Sequence, residues 1–483
     1  MTLKDKTLSG LIWSFIDNSA NIGISFVFGI ILARLLSPRE FGLVGMLSIF
    51  IAVSQSFVDS GFSQALIRKT DPTQEDYSTV FFFNIAIGII CFIILFIFAG
   101  FISKFFNEPK LKPMLQVFGL VTIIEAFTII QRTILTKRID FKLQTKISII
   151  SSFVSGIISI GMAYAGYGVW SLVVKIISMY FITSLLLWWW NEWRPTMVFS
   201  MKSFKELFFF GSKLLASSII HKIYRNAYYL VIGKYFSAQE LGYYTRADQF
   251  SQLPSSNITT VMQRVSYPIL SSIKDDIPQL KSVYKKLVKS SVFITFILML
   301  GMVAVAKPMV LVLIGVKWEP CVIYLQMLCF VGMLYPLHAL NLAMLQVDGR
   351  SDLFLLIEII KQTLTIPVIA IGIMFGIMAM VQGMIVHSLI ALYLNSNWSG
   401  RIIGYSIGEQ IKDVFPSFLL AMTVGSIVYV EGLLIPFLPL PLIIIQLITG
   451  AVLTFGLCEV FHLEDYLYIK EIFKERINAG KNY

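Results

Sequence analysis

The stretch Ile31-Leu32-Ala33-Arg34-Leu35-Leu36-Ser37-Pro38-Arg39-Glu40-Phe41-Gly42 returns 200 residues later as Val231-Ile232-Gly233-Lys234-Tyr235-Phe236-Ser237-Ala238-Gln239-Glu240-Leu241-Gly242. Ser37 matches Ser237, Glu40 matches Glu240, Gly42 matches Gly242, and Arg34 matches Lys234. A long apolar run precedes each copy and another follows. An internal repeat in such a chain implies two pseudo-symmetric bundles around a shared path through a bilayer. The expected fold class is an all-α polytopic membrane protein of about 14 transmembrane helices. Two pseudo-symmetric six-helix bundles are expected around a central cavity, with two further helices at the C-terminus.

Composition points the same way. Of 483 residues, 57% are hydrophobic and 14% charged, against about 25% charged in soluble globular proteins. Mean hydropathy is +0.78. The apolar residues fall into runs of roughly 20, each long enough to cross the hydrocarbon core. The net charge of +11 does not imply nucleic acid, because the basic residues punctuate apolar runs and form no continuous basic face. Cys91, Cys321, Cys329 and Cys458 lie in or beside apolar segments without metal or disulfide spacing, so they read as small buried hydrophobes. The run from 8 to 36 behind Lys4 and Lys6 is too long for a cleavable signal and is expected to stay as the first span.

Window reading gives six spans at 8–36, 41–67, 79–103, 113–136, 147–165 and 169–190. Six more follow at 207–235, 241–268, 287–313, 320–346, 352–375 and 379–396, then two at 415–433 and 437–459. The expected domains are an N-terminal six-helix lobe (1–190), a cytoplasmic linker (191–206) and a C-terminal six-helix lobe (207–397). Two additional transmembrane helices (398–460) and a cytoplasmic tail (461–483) complete the chain. With the N-terminus inside, about 22 basic residues fall in cytoplasmic segments and about 8 outside, which follows the positive-inside rule. An even number of spans then puts both termini in the cytoplasm. Trp188, Trp189, Trp190 and Trp193 read as an interfacial aromatic belt.

An ionisable residue near the bilayer centre costs about 2.5–3.5 kcal/mol on insertion scales, so it needs a partner or a wet cavity. In the first half these residues are Asp17, Asp59, Glu125 and Arg132, with Asn18, Asn21 and Asn84 as polar neighbours. The seventh span is the richest. Lys222 and Arg225 are three apart and share a helical face, with His221 four before Arg225. Two cations on one face call for an anion, either a visiting phosphate or a structural carboxylate such as Asp248 or Asp17. Arg246 and Asp248, two apart, point to different faces. Glu358 and Lys361 are spaced for an internal ion pair. His338 and His387 read as satisfied polar core. Asp17, Asn18, Asp59 and Glu125 are the candidates for a coupling ion or a polar cavity. No Walker A loop, zinc motif or nucleophile elbow is present, and no metal or cofactor is called for.

Leu241-Gly242-Tyr243-Tyr244-Thr245-Arg246-Ala247-Asp248-Gln249, with Leu253-Pro254 and Val265-Ser266-Tyr267-Pro268-Ile269-Leu270-Ser271, resembles the eighth-span region of bacterial polysaccharide exporters. The stretch from Leu32 to Gly42 is similar to that family's first inter-span connection, and Asp59-Ser60-Gly61-Phe62 to its second-span end. These are Wzx-type lipid-linked oligosaccharide flippases. They form the colanic-acid-exporter-like branch of the multidrug/oligosaccharidyl-lipid/polysaccharide exporter superfamily.

The resemblance implies alternating access and an undecaprenyl-diphosphate-linked oligosaccharide moved from the cytoplasmic to the outer leaflet of the bacterial inner membrane. It also implies a cationic cavity, which Lys222, Arg225 and Arg246 are placed to supply by location and charge. Membrane lipids are the other implied partner, with a polysaccharide polymerase and glycosyltransferases as functional neighbours. The alternative is a drug, cation or other small-solute exporter of the same superfamily. That reading favours an acidic cavity, whereas basic residues outnumber acidic ones in the seventh and eighth spans. A glycan polymerase or ligase would need a sizeable outward loop, and connections such as 165–168 are short.

Overall fold

A computed structural model describes residues 3–435, 438–467 and 469–471. Most of the tail (472–483), with Lys474, Arg476 and Lys481, lies outside the described residues. Among those described there are α-helices and one 3-10 turn, and no strand. In order they are α1 (Leu3–Leu35), α2 (Pro38–Asp59), α3 (Phe62–Arg68), α4 (Gln74–Phe106), α5 (Leu111–Phe118), α6 (Leu120–Lys137), α7 (Phe141–Tyr164) and α8 (Val169–Trp190). Then come α9 (Met201–Tyr235), α10 (Ala238–Ser272), α11 (Ile277–Leu313), α12 (Cys321–Gly332), α13 (Tyr335–Val347), α14 (Ser351–Phe375), α15 (Ile377–Ile403), α16 (Ile407–Leu434) and α17 (Pro439–Val460).

Among the described residues, twelve spans are long and apolar enough to cross a membrane, three of them broken into helix pairs: Pro38–Arg68, Leu111–Lys137 and Cys321–Val347. Helices α9 and α10, 35 residues each, are about 52 Å long at roughly 1.5 Å per residue. They are too polar to qualify by composition, which fits helices that face something other than lipid. Adding them brings the arrangement close to the fourteen windows read from the sequence. The chain is an all-α polytopic membrane protein, and it divides into two compact units, Met1–Thr245 and Arg246–Tyr483.

Within the first unit the repeated motif explains itself as a helix start followed by a close crossing. Ser37 and Glu40 form a capping box at the head of α2: Ser37 N and Oγ donate to Glu40 Oε2 at 2.7 and 2.9 Å. At the second copy, Glu40's counterpart Glu240 donates its backbone N–H to Ser237 Oγ at 3.1 Å. The terminal glycines let the two copies meet. A Cβ on Gly42 would stand 1.6 Å from the Ala238 carbonyl oxygen, and one on Gly242 would stand 1.9 Å from that of Pro38. At the other end of α2, Ser60 and Gly61 turn the chain in the left-handed region (φ 51° and 73°). There Gly61 lies against the Gly211 backbone of α9. Between these ends α2 and α9 are tied by Ser48 Oγ donating to Asn226 Oδ1 (3.1 Å) and by a Ser56–Ser218 hydroxyl pair (3.0 Å).

The non-helical segment after α8 is stapled to α6 through Gln131, whose side chain donates to Trp193 O and whose carbonyl accepts from Asn191 Nδ2, and to α4. Trp193 Nε1 donates to Gln74 Oε1 (2.6 Å), Thr196 N to Ser78 Oγ (3.0 Å) and Ser200 N to Thr79 Oγ1 (2.9 Å). The four tryptophans consequently split. Trp188 and Trp193 pack on Phe81, Trp190 sits under the Lys146 ammonium at 4.4 Å, and Trp189 is 81% exposed. The belt reading suits Trp189, while Trp188 and Trp193 serve the unit's own packing.

The second unit is held by a buried polar network that links α11, α13, α15 and α16. Tyr284 OH and Ser399 Oγ donate to Asn341 Oδ1, and Asn341 Nδ2 donates to Leu337 O, Ser396 Oγ and Gln410 Oε1. His338 is satisfied by Ser388 and Asn395, and His387 Nε2 donates to Lys361 O. Lys361 and Glu358 form the expected ion pair. All four cysteines are buried and free.

Candidate functional site

The first unit gathers four of the polar residues singled out from sequence, together with two that were not. Glu125 of α6 accepts a hydrogen bond from Gln55 Nε2 of α2 at 2.7 Å. The same amide donates to Tyr180 OH of α8 at 2.8 Å. Arg132, Lys222 and Asp59 all act electrostatically on Glu125, and Glu125 and Asp59 act on Lys222 of α9. Asp59 is held at the α2–α3 break, where Ser63 N donates to its Oδ1 at 3.3 Å and Ser63 Oγ donates as well. Two carboxylates, two cations, an amide and a phenol thus share one field supplied by four helices.

Lys222 therefore has two carboxylates in reach, Glu125 and Asp59. Arg225, one turn further along α9, is exposed and makes no ion pair among the described residues. Lys222 and Arg225 lie 13 and 10 residues before the end of α9 at Tyr235, so about 15–20 Å along the helix axis. That is close to the mid-depth of a bilayer core about 30 Å thick. The planar fork of a guanidinium can bind two oxygens of a phosphate at once.

Asp17 is separate from this group. Asn21 Nδ2 donates to Asp17 Oδ1 (2.8 Å) and to Ser148 Oγ of α7 (2.7 Å), and Ser152 Oγ donates to Asn21 Oδ1 (2.7 Å). Asn18, beside it, is exposed. Arg246 belongs to the second unit. It is 8% exposed, its Nη1 donates to Gln249 Oε1 at 2.8 Å, and its guanidinium lies 5.8 Å from the centre of the buried Trp318 ring. Both Asp248 carboxylate oxygens accept from Gln252 Nε2 at 2.8 Å. Among the described residues no three His, Cys, Asp or Glu side chains gather to hold a metal.

Gln55 and Tyr180 escaped sequence reading because neither is charged. Gln55 did carry a signal, since it lies four residues before Asp59 and so on the same face of the span. Tyr180 had none, because a tyrosine in a span reads equally as packing.

The family described as "Polysaccharide biosynthesis protein" matches residues 31–323, more than half of the chain. The chain belongs to that family. Within it, the chain is 27% identical over 450 residues to the lipopolysaccharide biosynthesis protein WzxC of Escherichia coli (strain K12), covering 90% of this chain and 89% of WzxC. It is 26% identical over 358 residues to the teichuronic acid biosynthesis protein TuaB of Bacillus subtilis (strain 168), covering 73% of each. Its fold matches the lipid II flippase MurJ in an inward closed conformation, with a TM-score of 0.75 at 14% identity, over 94% of this chain and 99% of MurJ.

Proposed function

We propose that this family member is a flippase, not an enzyme. Its substrate would be a polyprenyl-diphosphate-linked oligosaccharide, carried by alternating access from the cytoplasmic to the outer leaflet of a bacterial inner membrane for surface polysaccharide synthesis. The observation that carries this is the pairing of a polysaccharide-family sequence over nine-tenths of WzxC with the fold of a lipid II flippase. The physical task fits. A diphosphate headgroup must cross about 30 Å of hydrocarbon, and cations at mid-depth offset the loss of its hydration while the lipid tail stays among acyl chains. Arg225 and Lys222 are assigned that role, and Arg246 a supporting one in the second unit. Asp17, Asn18, Asp59 and Glu125 are the coupling-ion candidates, with Asp59 and Glu125 favoured because they share the field of Lys222. Both termini are taken as cytoplasmic on the positive-inside count. The lobes are taken as 1–190 and 207–397, joined by the linker 191–206 and followed by two added helices at 398–460 and the tail at 461–483.

The direct test is mass spectrometry of lipid extracts from cells depleted of the protein. A polyprenyl-diphosphate-linked oligosaccharide should accumulate, and its glycan would be identified in the same experiment. An unchanged lipid profile with unchanged surface polysaccharide would turn the reading toward small-solute export. A second expected result concerns Arg225→Ala. The side chain is exposed and unpaired among the described residues, so protein levels should stay normal. Export should fall about tenfold to a hundredfold, the weight of a charge-assisted hydrogen bond of about 1.5–3 kcal/mol. Normal export from this variant would remove Arg225 from the substrate path.

A further inference from the structure

Four residues of α9 fall at successive i, i+4 positions: Lys213, Ser217, His221 and Arg225. That spacing makes a ridge on an α-helix, with rungs about 6 Å apart along the axis. All four are exposed. Lys213, His221 and Arg225 carry no side-chain hydrogen bond or ion pair among the described residues, and the Lys213 ammonium rests 4.5 Å from the centre of the Phe209 ring. Lys213 lies 22 residues before the end of α9 at Tyr235, about 33 Å along the axis, and Arg225 about 15 Å. The ridge therefore runs from one edge of a core about 30 Å thick to its mid-depth.

Two further strips flank the ridge. One is the packing face, where Leu207 and Gly211 are buried, Ser218 pairs with Ser56 and Asn226 Oδ1 accepts from Ser48. Lys222, in the field of Glu125 and Asp59, lies on this side. The other strip is apolar and uncovered. Phe209, Ile220 and Ile223 are 71%, 49% and 44% exposed, and Ala216 among them is exposed as well. At 3.6 residues per turn these four stay within about 60° of one another, on the side of the ridge away from the packing face. A charge such as that of Arg225 is costly against lipid at this depth, so the ridge calls for water or an anion, while the apolar strip meets hydrocarbon freely.

We infer that α9 is a two-track guide for a lipid-linked diphosphate. The ridge passes the diphosphate from Lys213 past Ser217 and His221 to Arg225, and the apolar strip carries the polyprenyl chain beside it. The assignment rests on the flippase reading and adds Lys213, Ser217 and His221 to the residues that touch substrate. The two strips together select the occupant. A free anion has no use for the apolar strip, a neutral lipid has none for the ridge, and a cationic solute is repelled by Lys213 and Arg225. An anionic head on a long apolar chain uses both. Rungs about 6 Å apart let two linked phosphates hold one rung while reaching for the next, which the single phosphodiester of a phospholipid does not.

Cysteine labelling of the purified full chain in lipid nanodiscs tests it, since the four native cysteines are buried. Ser217→Cys and His221→Cys should react with a water-soluble methanethiosulfonate much faster than Ile220→Cys and Ile223→Cys. Undecaprenyl diphosphate should slow the two ridge positions about tenfold, the weight of one charge-assisted contact. Inorganic diphosphate and phosphatidylglycerol at the same concentration should slow them far less. Equal labelling of ridge and strip, or no protection by undecaprenyl diphosphate, would overturn the proposal. So would equal protection by inorganic diphosphate, which needs no apolar track, or by phosphatidylglycerol, which would make the ridge a general site for anionic lipid. In cells, Lys213→Gln should lower export about tenfold at normal protein levels, and Lys213→Arg should retain it; normal export from Lys213→Gln would remove the first rung. The flippase reading is judged separately by the lipid extracts of depleted cells. Accumulation there with an unprotected ridge would keep the flippase and remove the guide.

Discussion

Gly42→Ala should be the most destabilising single-methyl change in the first unit. The added carbon would stand 1.6 Å from the Ala238 carbonyl oxygen and 2.5 Å from its carbon. Both are backbone atoms at the start of α10, so no side chain can swing aside, and the helices must part. Overpacking of this kind costs about 1–3 kcal/mol, occasionally more, and a clash with backbone belongs at the upper end. At roughly 2–4 °C per kcal/mol for a body of this size, the melting temperature of the purified protein should drop by about 10 °C. Gly23→Ala is the control. Nothing lies within 4 Å of its would-be Cβ, and removing a glycine from a helix interior is favourable by about 0.5–1 kcal/mol. Gly242→Ala meets Pro38 O at 1.9 Å across the same crossing. Once one substitution has parted the helices the other has less left to break, so the double variant should fall short of additivity. A Gly42→Ala protein that melts with the wild type would show that the two motif copies do not meet this closely.

That crossing shows what the sequence carried and what it withheld. The repeat, the spans and their order were legible because each depends on local features: runs of apolar residues, and the spacing of Ser, Glu and Gly. The same string did not reveal that its two copies touch, because contact between residues 42 and 238 is a property of packing and leaves no local mark. The breaks at Ser60-Gly61, Gly119 and Met333-Leu334 were read through as continuous spans, since hydropathy is blind to a turn made of small or apolar residues. The charged site followed the same pattern. Lys222, Glu125 and Asp59 stood out because ionisable groups are rare in spans. Their grouping did not, because they come from separate helices and no local spacing links them. Arg246 stood out equally, and its placement 5.8 Å from the Trp318 ring is again a property of packing that leaves no local mark.

The field around Lys222 makes its two roles separable. If Lys222 serves only to balance Glu125 and Asp59, then neutralising a carboxylate and the lysine together should restore whatever the lysine's loss removed. If it binds the substrate's phosphate, the carboxylate change cannot replace it. We expect Lys222→Met to lower both thermal stability and export, because it removes one of the two cations that act on Glu125. Glu125→Gln keeps the shape of the side chain that Gln55 holds while removing its charge. In the Glu125→Gln/Lys222→Met double variant, stability should recover by a coupling term of about 0.5–3 kcal/mol, the usual range for residues in one network. Export should stay down by about tenfold or more, as for any lost charge-assisted contact to phosphate. Melting temperature and accumulation of lipid-linked oligosaccharide, measured on the same four proteins, read the two terms independently. Recovery of both would make Lys222 a structural counter-charge and leave Arg225 as the phosphate anchor on α9. Recovery of stability alone would place Lys222 on the substrate's route, with Glu125 holding the lysine ready between substrates.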